Sequence, residues 1–231
     1  MVWASYGCLA FADYFIVTKE LFDIEESLGA KSRDSLHTTR RFEYPWVHQT
    51  LAPITRGDII LDAGAGYSLF RFLLAKGAKE IHSIDVDNDC LDWSEKVGVR
   101  FGNVFPAFGD ITSIPFSSDY FSKVYCISVL EHLPKDKVKK GIEELIRVTR
   151  PNGQIAITMD VSLNSTNKQV DLGDFLNLAK DYSLAVPELP PDAMRLGVGE
   201  INFAVACIFL GGGGIDGPTS LESSKNEFGV A

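Results

Sequence analysis

Residues 60–70 read ILDAGAGYSLF, and this stretch constrains the fold more than any other. An apolar run (Ile59, Ile60, Leu61) ends in Asp62, passes Gly64 and Gly66, and enters a helical pattern. A buried strand must therefore turn sharply into a helix, with backbone exposed at the turn. Glycines there admit unusual backbone angles and let a ligand approach the main chain. The helix start adds unpaired N–H groups and the positive end of its dipole. A nucleotide-like ligand suits that geometry.

The rest of the chain alternates strands with helices. Apolar runs predict strands at 58–62, 81–84, within 100–108, and at 121–127, 154–159 and 203–210, with a short one near 183–186. Helices are expected over 68–76, 88–95 and 172–180. The clearest is the stripe of Val138, Ile142, Leu145 and Ile146, stopped by Pro151-Asn152-Gly153. Tyr44-Pro45-Trp46 marks a turn or a helix start. This alternation implies an α/β fold: a Rossmann-like, seven-stranded, mostly parallel sheet with helices on both faces. We expect an N-terminal helical cap over 1–50, the α/β domain over 51–210, and a flexible tail over 211–231 that opens with four glycines. Ligands of such sheets bind at the carboxyl ends of the strands, near the point where strand order reverses. Asp62, Asp85, Asp110 and Ser128 all follow predicted strands, so they gather at one sheet edge.

Composition narrows the function classes. The 231 residues are 45% hydrophobic and 23% charged, enough to bury a sizeable core. The net charge of −9 argues against nucleic acid as the main partner, which needs a basic face. Cys8, Cys90, Cys126 and Cys207 are scattered, with no metal-type spacing, as expected for reduced thiols in a cytoplasmic protein that holds no metal. The apolar residues 2–12 follow no basic segment and are cut short by Asp13. A packed helix or a partner surface is expected there, and no membrane partner.

The turn itself selects among cofactors. A nicotinamide dinucleotide fold wants GxGxxG or GxGxxA, and Leu69 occupies the last position, where a small residue lets helix and strand pack closely. A phosphate-binding P-loop is excluded because no GK[ST] follows. Asp62, Gly64 and Gly66, with Ser68 in place of a third glycine, resemble the first motif of the class I S-adenosylmethionine-dependent methyltransferases. The resemblance continues in order over 58–159. His82-Ser83-Ile84-Asp85-Val86-Asp87 is similar to the second motif, and Gly109-Asp110-Ile111 to the adenine segment. Ser128-Val129-Leu130-Glu131-His132-Leu133 and residues 145–153 (LIRVTRPNG) resemble blocks of the type 11 branch. Phe121-Ser122 departs from that family's Phe-Asp.

The resemblance implies S-adenosylmethionine as cofactor and S-adenosylhomocysteine as product. It implies that Asp62, Gly64, Ala65, Gly66, Asp85, Val86, Asp110, Ile111 and Ser128 bind it, Asp85 through the ribose hydroxyls and Asp110 through the adenine amine. The chemistry is compatible, since a sulfonium nucleoside has no phosphate and calls for acceptors and acids rather than a lysine cradle.

Methyl transfer is an in-line displacement at carbon, so the enzyme mainly supplies positioning and a dry site. A base is needed only for an acceptor protonated at neutral pH. Glu131 and His132, just beyond the fourth strand, are the candidates; each also reads as a packing or capping residue. Asp160, at the end of the fifth strand, faces the same edge. Tyr44, Trp46, Arg40 and Arg41 form an aromatic–basic cluster able to hold an anionic or ring-bearing acceptor. No [ND]PP[YF] follows the fourth strand, and Cys126 has no adjacent proline. These features and the acidic charge favour a small-molecule acceptor and no nucleic acid. The alternatives are a non-catalytic regulatory or scaffold subunit that binds S-adenosylmethionine and, third, an NAD-dependent oxidoreductase.

Overall fold

The computed structural model describes residues 11–29, 39–162, 170–182 and 203–211. Two helices, α1 (Phe11–Leu28) and α2 (Arg40–Leu51), precede an alternating series: β1 (Ile59–Ala63), α3 (Phe70–Ala75), β2 (Glu80–Asp85), α4 (Asn88–Gly98) and β3 (Val104–Phe108). After β4 (Phe121–Ile127) and a single 3-10 turn at Leu130–His132 come α5 (Lys135–Val148), β5 (Thr149–Ser162), α6 (Leu172–Asp181) and β6 (Phe203–Gly211). The strands form one sheet in the order β3-β2-β1-β4-β5-β6. Every pairing is parallel except β5 with β6, which is antiparallel. The expected strand near 183–186 and the tail beyond 211 lie outside the described residues, as do residues 1–10. Six strands are therefore described where seven were expected.

The core shows why the apolar runs of β1, β4 and β5 became strands buried on both faces, whereas β3, at the sheet edge, stays largely exposed. Ile60 of β1, Tyr125 of β4 and Ala156 of β5 pack with α1, α2 and α3 through Val17, Val47, Leu51 and Phe70. Their neighbours Leu61, Val124, Cys126, Ile155 and Ile157 pack on the other side with Val138, Ile142, Leu145, Phe175 and Leu178 of α5 and α6. Alternate residues of one strand thus serve two separate cores, as a sheet sandwiched by helices demands.

Two local expectations need amendment. Pairing jumps from Phe121↔Thr149 to Lys123↔Gln154, so residues 150–153 loop out of the ladder and regular pairing resumes where the sequence predicts a strand. Pro45 neither starts nor breaks a helix; it lies inside α2. Its missing N–H and its clash with the preceding turn disfavour helix there, but burial of Tyr44, Trp46, Val47 and Leu51 outweighs that local cost. The C-terminal end of α2 is also fastened to the sheet. The ammonium of Lys123, 6% exposed, donates to the carbonyls of Leu51 (2.5 Å) and Pro53 (2.9 Å) and to Gln154 Oε1 (2.9 Å).

Among the described residues, no helix is long and apolar enough to cross a membrane. The three described cysteines, Cys90, Cys126 and Cys207, are free and buried.

Candidate functional site

Strand order reverses between β1 and β4, and a cavity of about 450 Å³ opens at their carboxyl ends. All the residues assigned to the cofactor by the sequence reading line it: Asp62, Gly64, Ala65, Gly66, Asp85, Val86, Asp110, Ile111 and Ser128. Arg40, Tyr44 and His132 line it too. Trp46, Glu131 and Asp160 are not among the lining residues; Trp46, on α2, is instead buried in the core that α1, α2 and α3 share with the sheet.

The loop after β1 is shaped by backbone bonds and by its glycines. The N–H groups of Gly64 and Ala65 both donate to the carbonyl of Ile84, at 2.9 and 3.0 Å, which folds the loop back over β2. Gly64 has φ +82° and Gly66 +47°, in the region that disfavours side chains. A Cβ on Gly64 would lie 2.2 Å from Val129 Cγ2, so the loop reaches the end of β4 only because no side chain intervenes.

Asp85 joins the first two loops. Its Oδ2 accepts from Gly66 N–H at 2.8 Å and its Oδ1 from Asp87 N–H at 2.9 Å. Each carboxylate oxygen keeps a second lone pair, so ribose hydroxyls are compatible with these bonds. Asp110, at the end of β3, accepts from both the N–H and the hydroxyl of Thr112 on Oδ1. Those two donors hold its carboxyl below the ordinary value.

Beneath the loop lies a cation that the sequence reading missed. Arg71, in the first turn of α3, is fully buried. Its guanidinium donates to the carbonyls of Ala65 and Gly66 (2.9 Å for the latter) and to Ser94 Oγ (2.9 Å). Its Nε lies 3.1 Å from Asp62 Oδ2, a charge pair whose angle does not make a hydrogen bond. Burial pushes the Asp62 carboxyl up, and the Arg71 charge opposes that shift. Arg71 thus grips the loop from below, and its legible signal was an arginine inside the apolar run FRFLLA.

A second missed residue is Glu43 on α2, 0% exposed. Its Oε1 accepts from the hydroxyls of Ser128 and Thr158, both at 2.6 Å, and its Oε2 from Arg40 Nη1. Arg40 Nη1 also donates to Ser128 Oγ at 2.6 Å. Ser128 sits at φ +50°, which costs a non-glycine residue about 1 kcal/mol. Its bonds to Glu43 and to the Thr158 carbonyl (3.0 Å) hold it there. Tyr44 shares a 2.9 Å hydrogen bond with Ser68 and stacks on Phe70 with ring centroids 4.8 Å apart. Helix α2 therefore bonds to the glycine loop on one side and to β4 and β5 on the other.

Glu131, in the 3-10 turn, is 3% exposed. Its Oε1 accepts from Asp160 N–H at 3.1 Å, while Oε2 has no hydrogen-bond partner. Burial, with help from the nearby Asp160 and Glu43 charges, pushes its carboxyl up to about 7. His132, the next residue, is exposed and faces the cavity.

This geometry is that of a cofactor-binding α/β sheet, and residues 61–157 match the family described as the methyltransferase domain. Residues 61–157 are thus similar to a methyltransferase domain. It is 33% identical over 108 residues to the uncharacterized methyltransferase YdaC of Bacillus subtilis (strain 168), a match covering 46% of this chain and 58% of that protein. It is 29% identical over 127 residues to a tRNA (carboxymethyluridine(34)-5-O)-methyltransferase of Arabidopsis thaliana, covering 53% of this chain and 29% of that one. The chain thus spans less than two thirds of the length of either relative. Among solved structures, geranyl diphosphate C-methyltransferase from Streptomyces coelicolor A3(2) shares the fold at a TM-score of 0.61, with 12% identity over 88% of this chain and 99% of that one. The methyltransferase domain so defined runs from β1 to β5, and every loop that lines the cavity from the sheet lies within it.

Proposed function

We propose that this chain transfers the methyl group of S-adenosylmethionine to a small-molecule acceptor and releases S-adenosylhomocysteine. The observation that carries the reading is the convergence of Asp62, Asp85, Asp110, Ser128 and the glycine loop on one cavity at the strand-order reversal. The donor set suits a nucleoside without phosphate. The acids Asp62, Asp85 and Asp110 line the side formed by β1, β2 and β3, and the nearest guanidinium there, Arg71, is buried under the loop rather than offered to a ligand. S-adenosylhomocysteine is what the structure of the Streptomyces geranyl diphosphate C-methyltransferase contains, together with Mg²⁺ and geranyl diphosphate.

When bound, the cofactor supplies an electrophilic methyl on a sulfonium. The chain's own residues supply placement. Asp85 accepts the ribose hydroxyls, Asp110 and Ile111 close around the adenine, and Gly64, Ala65 and Gly66 let the amino-acid portion lie against the backbone. Helix α2 covers the opposite side through Arg40 and Tyr44. His132 faces the transfer end and can take a proton from an acceptor that must lose one. Helix α2, part of the cap expected over 1–50, shields that side of the cavity from water.

An acceptor small enough to enter beneath α2 agrees with the net charge of −9, which opposes a polyanion. A cytoplasmic location fits the free, buried thiols. The Arabidopsis relative acts on tRNA, so the deciding experiment offers both acceptors. The protein is incubated with S-adenosyl-[methyl-³H]methionine and, separately, a small-metabolite fraction and bulk tRNA. Label in a small product supports the proposal and label in tRNA replaces the acceptor class. Cofactor binding without transfer to either points to a scaffold.

A further inference from the structure

We propose that the methyl acceptor is a neutral ring compound carrying one weakly acidic hydroxyl, whose proton His132 takes; this deepens, and rests on, the methyltransferase reading. The polar side chains lining the cavity on the side of α2 and β4 are already engaged, with one exception. Arg40 Nη1 donates to Glu43 Oε2 and to Ser128 Oγ, so the guanidinium is held against an ion of opposite charge. The Ser128 hydroxyl donates in turn to Glu43 Oε1 at 2.6 Å. Tyr44 and Ser68 share a hydrogen bond, and the hydroxyl of Tyr125 is buried. His132 is the exception. It is exposed and lines the cavity, and among the described residues its imidazole has no hydrogen-bond or ionic partner.

This arrangement disfavours a charged acceptor of either sign. An anion would enter with no uncommitted cation to meet it, since Arg40 is balanced by Glu43, and would face Asp85 and Asp110 within the same cavity. A cation would be repelled by the sulfonium of the cofactor. The carboxylates nearest the end of β4 give it no relief: Glu43 and Glu131 are 0% and 3% exposed and are not among the lining residues. An ion taken out of water without a partner carries a heavy penalty, which a neutral molecule avoids.

Apolar surface makes up the rest of this side. Ile127, Val129 and Leu133 line the cavity at and beyond the end of β4, with the rings of Tyr44 and Tyr125 beside them. Such rings receive another ring by offset stacking or edge contact. Of the anionic and ring-bearing acceptors that Tyr44 and Arg40 suggest in the sequence, the ring is the one this wall suits. The lone imidazole then sets the functional group. A neutral imidazole can take the proton of a phenol or an enol, whereas an amide or a simple alcohol is too weak an acid for it. In the transfer, a lone pair of the acceptor oxygen bonds to the methyl carbon while the carbon–sulfur pair returns to sulfur. The hydroxyl proton passes to His132. The products are a neutral methyl ether and S-adenosylhomocysteine, and the exposed imidazolium returns its proton to water.

Three probes that share one ring system test the assignment: 1-naphthol, 1-naphthoate and 1-naphthylmethylammonium. Each is titrated by calorimetry into the wild-type complex with S-adenosylhomocysteine at neutral pH. 1-Naphthol is expected to bind at least about tenfold more tightly than either charged probe. With S-adenosyl-[methyl-³H]methionine, label is expected in 1-methoxynaphthalene. His132→Gln is expected to lower kcat at least about a hundredfold and to leave the affinity for S-adenosylhomocysteine unchanged. A charged probe that binds as tightly as 1-naphthol, or 1-naphthol that does not bind, overturns the neutral-acceptor assignment. Bound 1-naphthol that gains no label, or gains it equally fast in His132→Gln, overturns the role of His132. Wild-type protein that does not bind S-adenosylhomocysteine overturns instead the methyltransferase reading beneath both.

Discussion

Replacing Arg71 with methionine tests whether one buried guanidinium holds the glycine loop together. Methionine keeps the unbranched apolar stem and removes the guanidinium, so the loss falls mainly on the charge and its donors. Asp62, 4% exposed, would be left without the positive charge 3.1 Å away. The carbonyls of Ala65 and Gly66 and the hydroxyl of Ser94 would each lose a donor. Removing one partner of a buried pair costs about 3–5 kcal/mol, and an orphaned carbonyl about 1 kcal/mol more. Protonation of Asp62 caps the electrostatic part, at about 1.4 kcal/mol per unit of upward pKa shift. A net loss of about 4 kcal/mol follows, against a typical domain stability of about 5–15 kcal/mol. For a chain of this size that is roughly 8–16 °C in Tm. Burial already raises the folded Asp62 carboxyl, and loss of Arg71 raises it further. A folded-state pKa above the unfolded one binds protons on folding, so stability falls as pH rises through that window. The deficit should therefore be larger in urea unfolding at pH 8 than at pH 5.5, and Asp62→Asn in the same chain should recover part of it. A deficit below about 1 kcal/mol, equal at both pH values, would refute the role given to Arg71.

Three further outcomes are expected. Asp85→Asn should weaken S-adenosylhomocysteine at least tenfold by calorimetry while the fold persists, because the amide cannot accept on both sides as the carboxylate does; unchanged affinity would remove Asp85 from the ribose site. Gly64→Ala should lower Tm by roughly 5–15 °C, since a Cβ 2.2 Å from Val129 Cγ2 adds overpacking of about 1–3 kcal/mol to a positive φ costing about 1–2 kcal/mol. A variant as stable as wild type would show that the loop is free to move. Glu131 is pushed from 4.5 to about 7 by burial, so the folded state holds a proton that the unfolded state releases between those values. Its contribution to stability therefore declines by up to about 3 kcal/mol as pH rises from 4.5 past 7. Glu131→Gln should gain on wild type between pH 5.5 and pH 8.5 in urea unfolding, and an equal difference at the two pH values would contradict the assignment.

Strands β1, β2, β4 and β5 were legible because burial on both faces produces plain apolar runs, and because Asp62, Asp85 and Ser128 mark the ends of the first three at the same sheet edge. The cavity lining followed from that register: Asp62, Asp85, Asp110 and Ser128 are brought together by topology alone. Helix α2 was less legible. Pro45 and the charged residues around it read locally as a turn, while the burial that overrides them comes from α1 and the sheet. Arg71 and Glu43 were missed for a related reason. Each is a buried helical charge, and some of its partners are remote: Ser94 for Arg71, and Ser128 and Thr158, 85 and 115 residues away, for Glu43. Local pattern assigns such a residue to the exposed face, where most charges go. Full burial reverses that inference, because an ion without partners would not be retained there. Charges that interrupt the apolar face of a helix next to a ligand-binding loop are therefore informative. In this chain both such charges hold residues of the cavity wall, the glycine loop in one case and Ser128 with Arg40 in the other.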